Sequence, residues 1–406
     1  MTFQQVETLR HDLHEHIPLL RNFHSTKSLE ESRLYQELKP KILKVLHSYE
    51  LISPAPLASP EPFYRAVAWN IERGICFEEI VHFLQNHPIL SKADLLLITE
   101  TDLGMARSAN RNVARELAER LGMNYFFAPS YLNLAKGAGT EQEFDGENEI
   151  GIHGNSILSR YPILKPRIIP LPNSHDKMKG REKRIGHQRA LIATIDLGGN
   201  PLRVGCAHLD VRSTQRHRRL QLERVVHSLR EEGDAAALVG GDWNTSTYDS
   251  HSATSAILGF WVRVFMGVDN MMKNHYPYPE RFFEKDLFQM LENNGFDYRR
   301  CNELGATTDH YSVEDIKQFK NLREWIPNWC FRFVEWALRN HGGRCSFKLD
   351  WLAQKKLRIL QMGEISSERK GASLAPKVIG NLTHNGKLAS DHDAIMVDFS
   401  FNQSPY

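Results

Sequence analysis

Short apolar runs recur along this chain, and residues able to bind a metal or move a proton stand at their ends. RAVAWNIE ends near Asn70, DLLLITE at Glu100, RVGCAHLD at His208 and Asp210, and ALVGGDWN at Asp242 and Asn244. Asp350 lies inside KLDWLA, and Asp391 and His392 come just before the last run in ASDHDAIMVDF. Runs of this length and composition predict strands. Between them, apolar spacing predicts helices, as through Ile80 and Leu84 and over Asn112 to Leu121. The turn Gly198–Gly199–Asn200 between two apolar runs predicts a hairpin. Strands mixed with helices and hairpins make an α/β fold of mixed sheets with helices outside. In such folds the loops at strand ends present side chains from a rigid scaffold, so ligands bind there.

A length of 406 residues suits one large α/β domain with additions, and 41% hydrophobic with 25% charged residues is enough for a sizeable core. Leu9, Leu13 and Ile17, then Leu34, Leu38, Ile42 and Val45, recur at helical spacing. The proline-rich stretch Leu51 to Pro62 cannot continue a helix. Residues 1–62 are therefore expected as a helical extension with a linker, and 63–402 as the main domain. From about 249 to 345 strand signals are sparse and aromatics are common, which predicts a helical insertion, with helices over Leu287 to Asn293 and Ile316 to Trp325. Trp261, Phe265, Val268 and Met272 fall at helical spacing there. That segment either packs on the core or forms an apolar platform beside a site, since it closely follows Asn244.

A net charge of +2 does not announce a nucleic-acid binder, although charge can be local. The five cysteines, Cys76, Cys206, Cys301, Cys330 and Cys345, are scattered and form no Cys-x-x-Cys pair. Neither a disulfide framework nor a zinc cluster is expected, and a reducing, cytoplasmic setting fits. The N-terminus lacks the long apolar run of a signal peptide, and no apolar stretch is long enough to span a bilayer.

Asn, Asp and Glu oxygens are hard ligands suited to Mg²⁺, and histidine moves protons near neutral pH. Together they supply what phosphoester hydrolysis needs: a cation on the phosphoryl oxygens, an activator of water and a stabiliser of the leaving group. WNIE, LLITETD, GNSILSR, AHLD, GDWN, KLDW and SDH, in that order, resemble the motifs of the endonuclease/exonuclease/phosphatase superfamily. The resemblance covers about residues 63–401. It implies a four-layer sandwich of two packed mixed β-sheets flanked by helices, with the active site at one edge.

By that resemblance Asn70, Glu100 and Asp391 belong to the metal side, with Mg²⁺ or Mn²⁺ as the ion. Asp242 and Asn244 align or deprotonate the attacking water and hold the phosphate. His392, oriented by Asp350, contacts the phosphate or acts as base, and His208 is a second histidine of the nuclease and sphingomyelinase branches. His208 departs from the abasic-endonuclease pattern. Asn155 is expected to face the site, and Arg107 and Arg189 to contact substrate. The expected activity is metal-dependent phosphoester hydrolysis by a phosphodiesterase, nuclease or phosphatase. The substrate is a nucleic acid, or a phospholipid or small phosphoester. The alternative is a binding or scaffold protein that keeps the fold. Such a protein would normally have lost ligands, and none is missing.

Overall fold

The computed structural model describes residues 3–53, 59–231, 233–245, 253–312, 328–374 and 376–401. Two sheets lie face to face. The first has ten strands. Its main path runs β1 (Gln4–Val6), β2 (Ser48–Ile52), β5 (Asn124–Asn133), β6 (Ile152–Ser159), β4 (Leu95–Leu103), β3 (Tyr64–Arg73), the last strand Ala394–Phe401 and β15 (Leu357–Ile359). The short strands β8 (Arg184–Gly186) and Lys377–Ile379 pair off this path. The second sheet is β14 (Asp350–Lys355), β11 (Ala237–Asp242), β10 (Pro201–Cys206), β9 (Arg189–Asp196) and β7 (Ile163–Pro170).

The buried runs explain the layers. Val67 and Trp69 face one way from β3, and Ala66 and Ala68 the other; all four are buried. A strand covered on both faces reads as a continuous apolar run rather than an alternating one. Ala66, Ala68, Leu97 and Ile157 meet Leu191, Ala193, Val204 and Leu238 in the core between the sheets. The outer face of the first sheet packs on α3 (Arg33–Leu46), α4 (Phe77–Asn86) and α5 (Val113–Leu121) through Leu38, Ile42, Ile80, Leu84 and Leu117. The outer face of the second packs on α6 (Gln215–Arg230) and the helix Lys285–Asn293 through Leu222, Val225, Leu287 and Leu291. The four-layer sandwich is therefore present.

Helix ends follow their caps. Asn112 accepts the Arg115 amide at 3.2 Å to open α5, and Gly122, at φ +62°, closes it. Thr214 accepts the His217 amide at 3.1 Å to open α6.

Two regions differ from the sequence expectation. The N-terminal segment is not helices alone: α1 (Ile17–Arg21), α2 (Thr26–Glu30) and α3 are bracketed by β1 and β2, which extend the first sheet. The pairing of β2 with β5, Glu50 opposite Phe127, joins residues too far apart for local patterning to reveal. The insertion carries α7 (Ala253–Phe265), Lys285–Asn293 and Asn328–Leu338, but also an antiparallel ribbon of β12 (Asp309–Ser312) and β13 (Arg344–Phe347). DHYS and RCSF are too short and polar to show a period of two. The helix expected over Ile316 to Trp325 lies outside the described residues, as do 54–58 of the linker.

Candidate active site

Strand ends converge at one edge of the sandwich. Asp242 closes β11 and Asp350 opens β14, and the antiparallel ladder sets them opposite each other. The end of β11 needs Gly241: its φ is +132°, and a Cβ there would meet the Ala207 carbonyl oxygen at 2.4 Å. Asp242 is buried and central. Its Oδ1 accepts the Asn244 amide at 2.8 Å, and its Oδ2 accepts from Asn70 Nδ2 at 3.1 Å. His208 Nε2 lies 3.4 Å from the same oxygen and His392 Nε2 3.9 Å. Burial pushes the Asp242 carboxyl well above the usual range; His392 opposes this, and Asp350 and Glu100 reinforce it.

His392 Nδ1 donates to Asp350 Oδ2 at 2.8 Å. Its backbone is pinned as well: its carbonyl accepts from Trp69 Nε1 at 2.9 Å and its amide donates to Ser390 Oγ at 3.1 Å. Burial pulls the imidazole down, but the carboxylates of Asp350, Asp309 and Asp242 outweigh it and hold His392 well above its ordinary value. A carboxylate on Nδ1 fixes the tautomer and aims Nε2 outward. His208 behaves oppositely: burial, against the attraction of Glu100, lowers it to about 4, so it is neutral at pH 7.

Glu100 sits at a bulge in β4 where the register with β3 and β6 shifts. Its φ is +57°, a left-handed conformation costly for a glutamate and concentrated at functional sites. Burial alone would raise its carboxyl, yet Arg73, with His208 and His153, holds it far below the ordinary range. The Arg73 guanidinium stands closest, Nη1 at 3.5 Å, and the His208 imidazole follows, Nε2 at 4.0 Å. A half-buried carboxylate held in its charged form, one residue past the Thr99 that pairs with Asn70, gives with Asn70 a donor set of hard oxygens that fits Mg²⁺ or Mn²⁺. Donor atoms of Asp242, Asp350 and His392 also lie within 4.8 Å of one another. There, however, Asp350 and His392 already satisfy each other, which suits an oriented imidazole better than two ligands.

The structure thus brings together Asn70, Glu100, His208, Asp242, Asn244, Asp350 and His392. Asp391, half-buried, precedes His392 in the same loop. Asn155 Oδ1 accepts the Glu100 amide at 3.3 Å and its Nδ2 donates to the Arg189 carbonyl at 3.0 Å, so it shapes the Glu100 turn. Arg107 and Arg189 do not present guanidinium groups to the cleft as expected. Arg107 is buried against Asp102 at 2.7 and 3.1 Å, Glu141 at 3.0 Å and Glu182 at 3.2 Å. Arg189 donates to the carbonyls of Leu46 and Pro129 under the N-terminal segment.

Sequence reasoning missed Arg73 and Asp102. Arg73 bridges Glu100 and Glu141, the latter at 3.1 Å, and Asp102 accepts from both Arg107 and His153 Nδ1, at 2.8 Å for the histidine. Asp102 stands in the LLITETD motif two residues after Glu100. A carboxylate in so apolar a strand, which demands a partner, was the available signal.

The chain matches the Endonuclease/Exonuclease/phosphatase family over residues 67–310, more than half its length, and belongs to that family of phosphoester hydrolases. No curated protein matches it in sequence. Among solved structures it is similar to an endonuclease/exonuclease/phosphatase from Beutenbergia cavernae, at 14% identity, covering 84% of this chain and 72% of that one, with a TM-score of 0.48. A family protein from Leptotrichia buccalis gives 12% identity, 83% and 100% coverage and a TM-score of 0.46. One from Bacteroides vulgatus gives 14%, 84% and 99%, and 0.44.

Proposed function

We propose that this chain is a divalent-metal-dependent hydrolase of phosphoester bonds in which Asp242, with the His392 imidazolium beside it, activates water and Glu100 and Asn70 would hold the metal. The observation that carries this is the buried Asp242 carboxylate, approached by Asn70, Asn244, His208 and His392 from separate strand ends. A bound Mg²⁺ or Mn²⁺ would supply positive charge to the phosphoryl oxygens. Glu100, kept anionic by Arg73, would be the principal ligand, with Asp391, next to His392 in the chain, as a further oxygen donor. Asp242 accepts the proton of the attacking water; Asn70 and Asn244 fix its two oxygens, and the positive charge of His392 favours the ionised form that this step needs. His392, charged and held by Asp350, stabilises the phosphoryl oxygens. His208, neutral, directs Nε2 between Glu100 and Asp242, within reach of the phosphate or leaving group. Asn155 supports the Glu100 turn, and Arg107 positions Asp102 and His153 behind it.

A scaffold protein that kept the fold would have no use for a strained Glu100 or a buried Asp350–His392 pair. The test is turnover of a chromogenic phosphodiester with Mg²⁺, with Mn²⁺ and after exhaustive chelation. Activity should vanish on chelation and return with the ion. Full activity in the chelated protein would sink the metal mechanism.

A further inference from the structure

Among the described residues, exposed large apolar side chains are mostly scattered singly, as on Leu19, Leu164 and Met362. One region departs from this. Helix α7 exposes Leu258, Val262, Phe265 (85% exposed) and the following Met266. These stand at i, i+4, i+7 and i+8, a single stripe. The helix Asn328–Leu338 exposes Phe333 and Trp336. The two helices touch through Trp261 and Phe333, whose rings meet edge-on at 5.3 Å, so the stripes form one surface. A contiguous apolar patch of this kind marks an interaction site.

The charge around it points to one kind of partner. Arg332 and Arg339 are exposed on the same stripe as Trp336, four residues before it and three after it. The Arg339 guanidinium lies 5.8 Å over the Trp336 ring. Arg344, just beyond, is exposed too. Arg263, a lone cation within α7, is turned inward over Tyr276 and Phe283 instead, at 5.6 and 4.9 Å. Aromatics between arginines suit the boundary of a bilayer, where apolar side chains enter the acyl region and cations meet phosphate headgroups. No described helix is long and apolar enough to cross a membrane, so the helices would lie on its surface.

We propose that the face formed by α7 and Asn328–Leu338 docks on an anionic lipid bilayer. The surface is tied to the site by the chain itself. Val334 and Leu338 pack with Tyr276 and Phe347, Phe347 pairs with Asp309 across the ribbon, and Asp309 bridges to His392. The docking goes beyond the hydrolase reading and does not require it.

The experiment is co-sedimentation of the full chain with vesicles of phosphatidylcholine alone and of phosphatidylcholine with phosphatidylglycerol. Binding should favour the anionic vesicles and weaken with salt. The double change Phe265→Ser with Trp336→Ser should lower affinity by roughly tenfold or more. Arg332→Gln with Arg339→Gln should lower it by roughly tenfold and remove most of the salt dependence. Both variants should keep the parental melting temperature and hydrolyse a small chromogenic diester as the parent does. Variants that bind vesicles like the parent, or a parent that never pellets with them, would overturn the proposal. So would a concentration-dependent dimer in light scattering that the serine variant dissolves, for the face would then belong to a second copy. Asp242→Ala separates the two readings: it should bind vesicles normally while losing hydrolysis, and retained hydrolysis would count against the active-site reading alone.

Discussion

At the scale of single residues the site depends on orientation. Asp350 holds His392 Nδ1, and among the described residues its other carboxylate oxygen has no hydrogen-bond partner, so Asp350 acts on the site through the imidazole and through its charge opposite Asp242. Asp350→Asn and His392→Ala should each lower kcat/KM by roughly 10²–10⁴-fold. The double variant should be little worse than the poorer single one, because residues acting as a unit are not additive. Multiplied losses in that cycle would mean that the two work apart. This pair was legible in the sequence: an aspartate inside KLDWLA cannot be buried alone, and SDH supplies a histidine of the right kind. Arg107 was misjudged for a physical reason. Sequence shows that an arginine follows the Glu100 strand but not that Asp102, Glu141 and Glu182 surround it.

Whole elements were legible where the signal is local and long, as in β3, β4 and α5, and lost where pairing is distant. Glu50 shows why β2 escaped notice. It is fully buried in a short strand, where a charged residue speaks against burial, and its partners lie far along the chain: the Leu9 amide at 2.7 Å, Tyr125 Oη at 2.8 Å and Asn112 Nδ2 at 2.9 Å. It therefore ties the N-terminal segment to the sheet and to the cap of α5. Glu50→Ala should cost roughly 3–5 kcal/mol in urea unfolding, since it strands buried donors at three places. A loss below about 1 kcal/mol would show that the segment is only loosely attached. The β12–β13 ribbon was hidden similarly, and with it Asp309 beside His392.

For the molecule as a whole, pH dependence follows from imidazoles that are partly or fully withdrawn from solvent. Burial, aided by Lys177 for His175 and by Arg189 for His187, lowers these two to about 3 and about 4, and burial lowers His208 to about 4. Each is neutral when folded and titrates near its ordinary value when unfolded. Between those limits the unfolded chain binds more protons, so stability is lost as pH falls from about 6.5 toward 4. By pH 5 each should cost roughly 1–2 kcal/mol after allowing for partial solvent screening. His187→Gln should show a smaller fall in urea midpoint between pH 7 and pH 5 than the parent; an equal fall would remove His187 from the account.

Asp242 and Asp350 face each other across a ladder, yet in the sequence the whole helical insertion lies between them. The site is therefore the meeting place of two stretches of polypeptide that need not be joined. A break between Gly342 and Gly343, in the exposed turn after the helix Asn328–Leu338, would leave residues 1–342 with Asn70, Glu100, His208, Asp242 and Asn244. Residues 343–406 would carry Asp350, Asp391, His392, three strands of the first sheet and β14 of the second. Neither piece alone holds the chemistry, and each lacks strands the other supplies. Expressed separately and mixed, the two should regenerate phosphodiester hydrolysis that neither shows by itself, which would make this enzyme divisible at a place its chemistry does not notice.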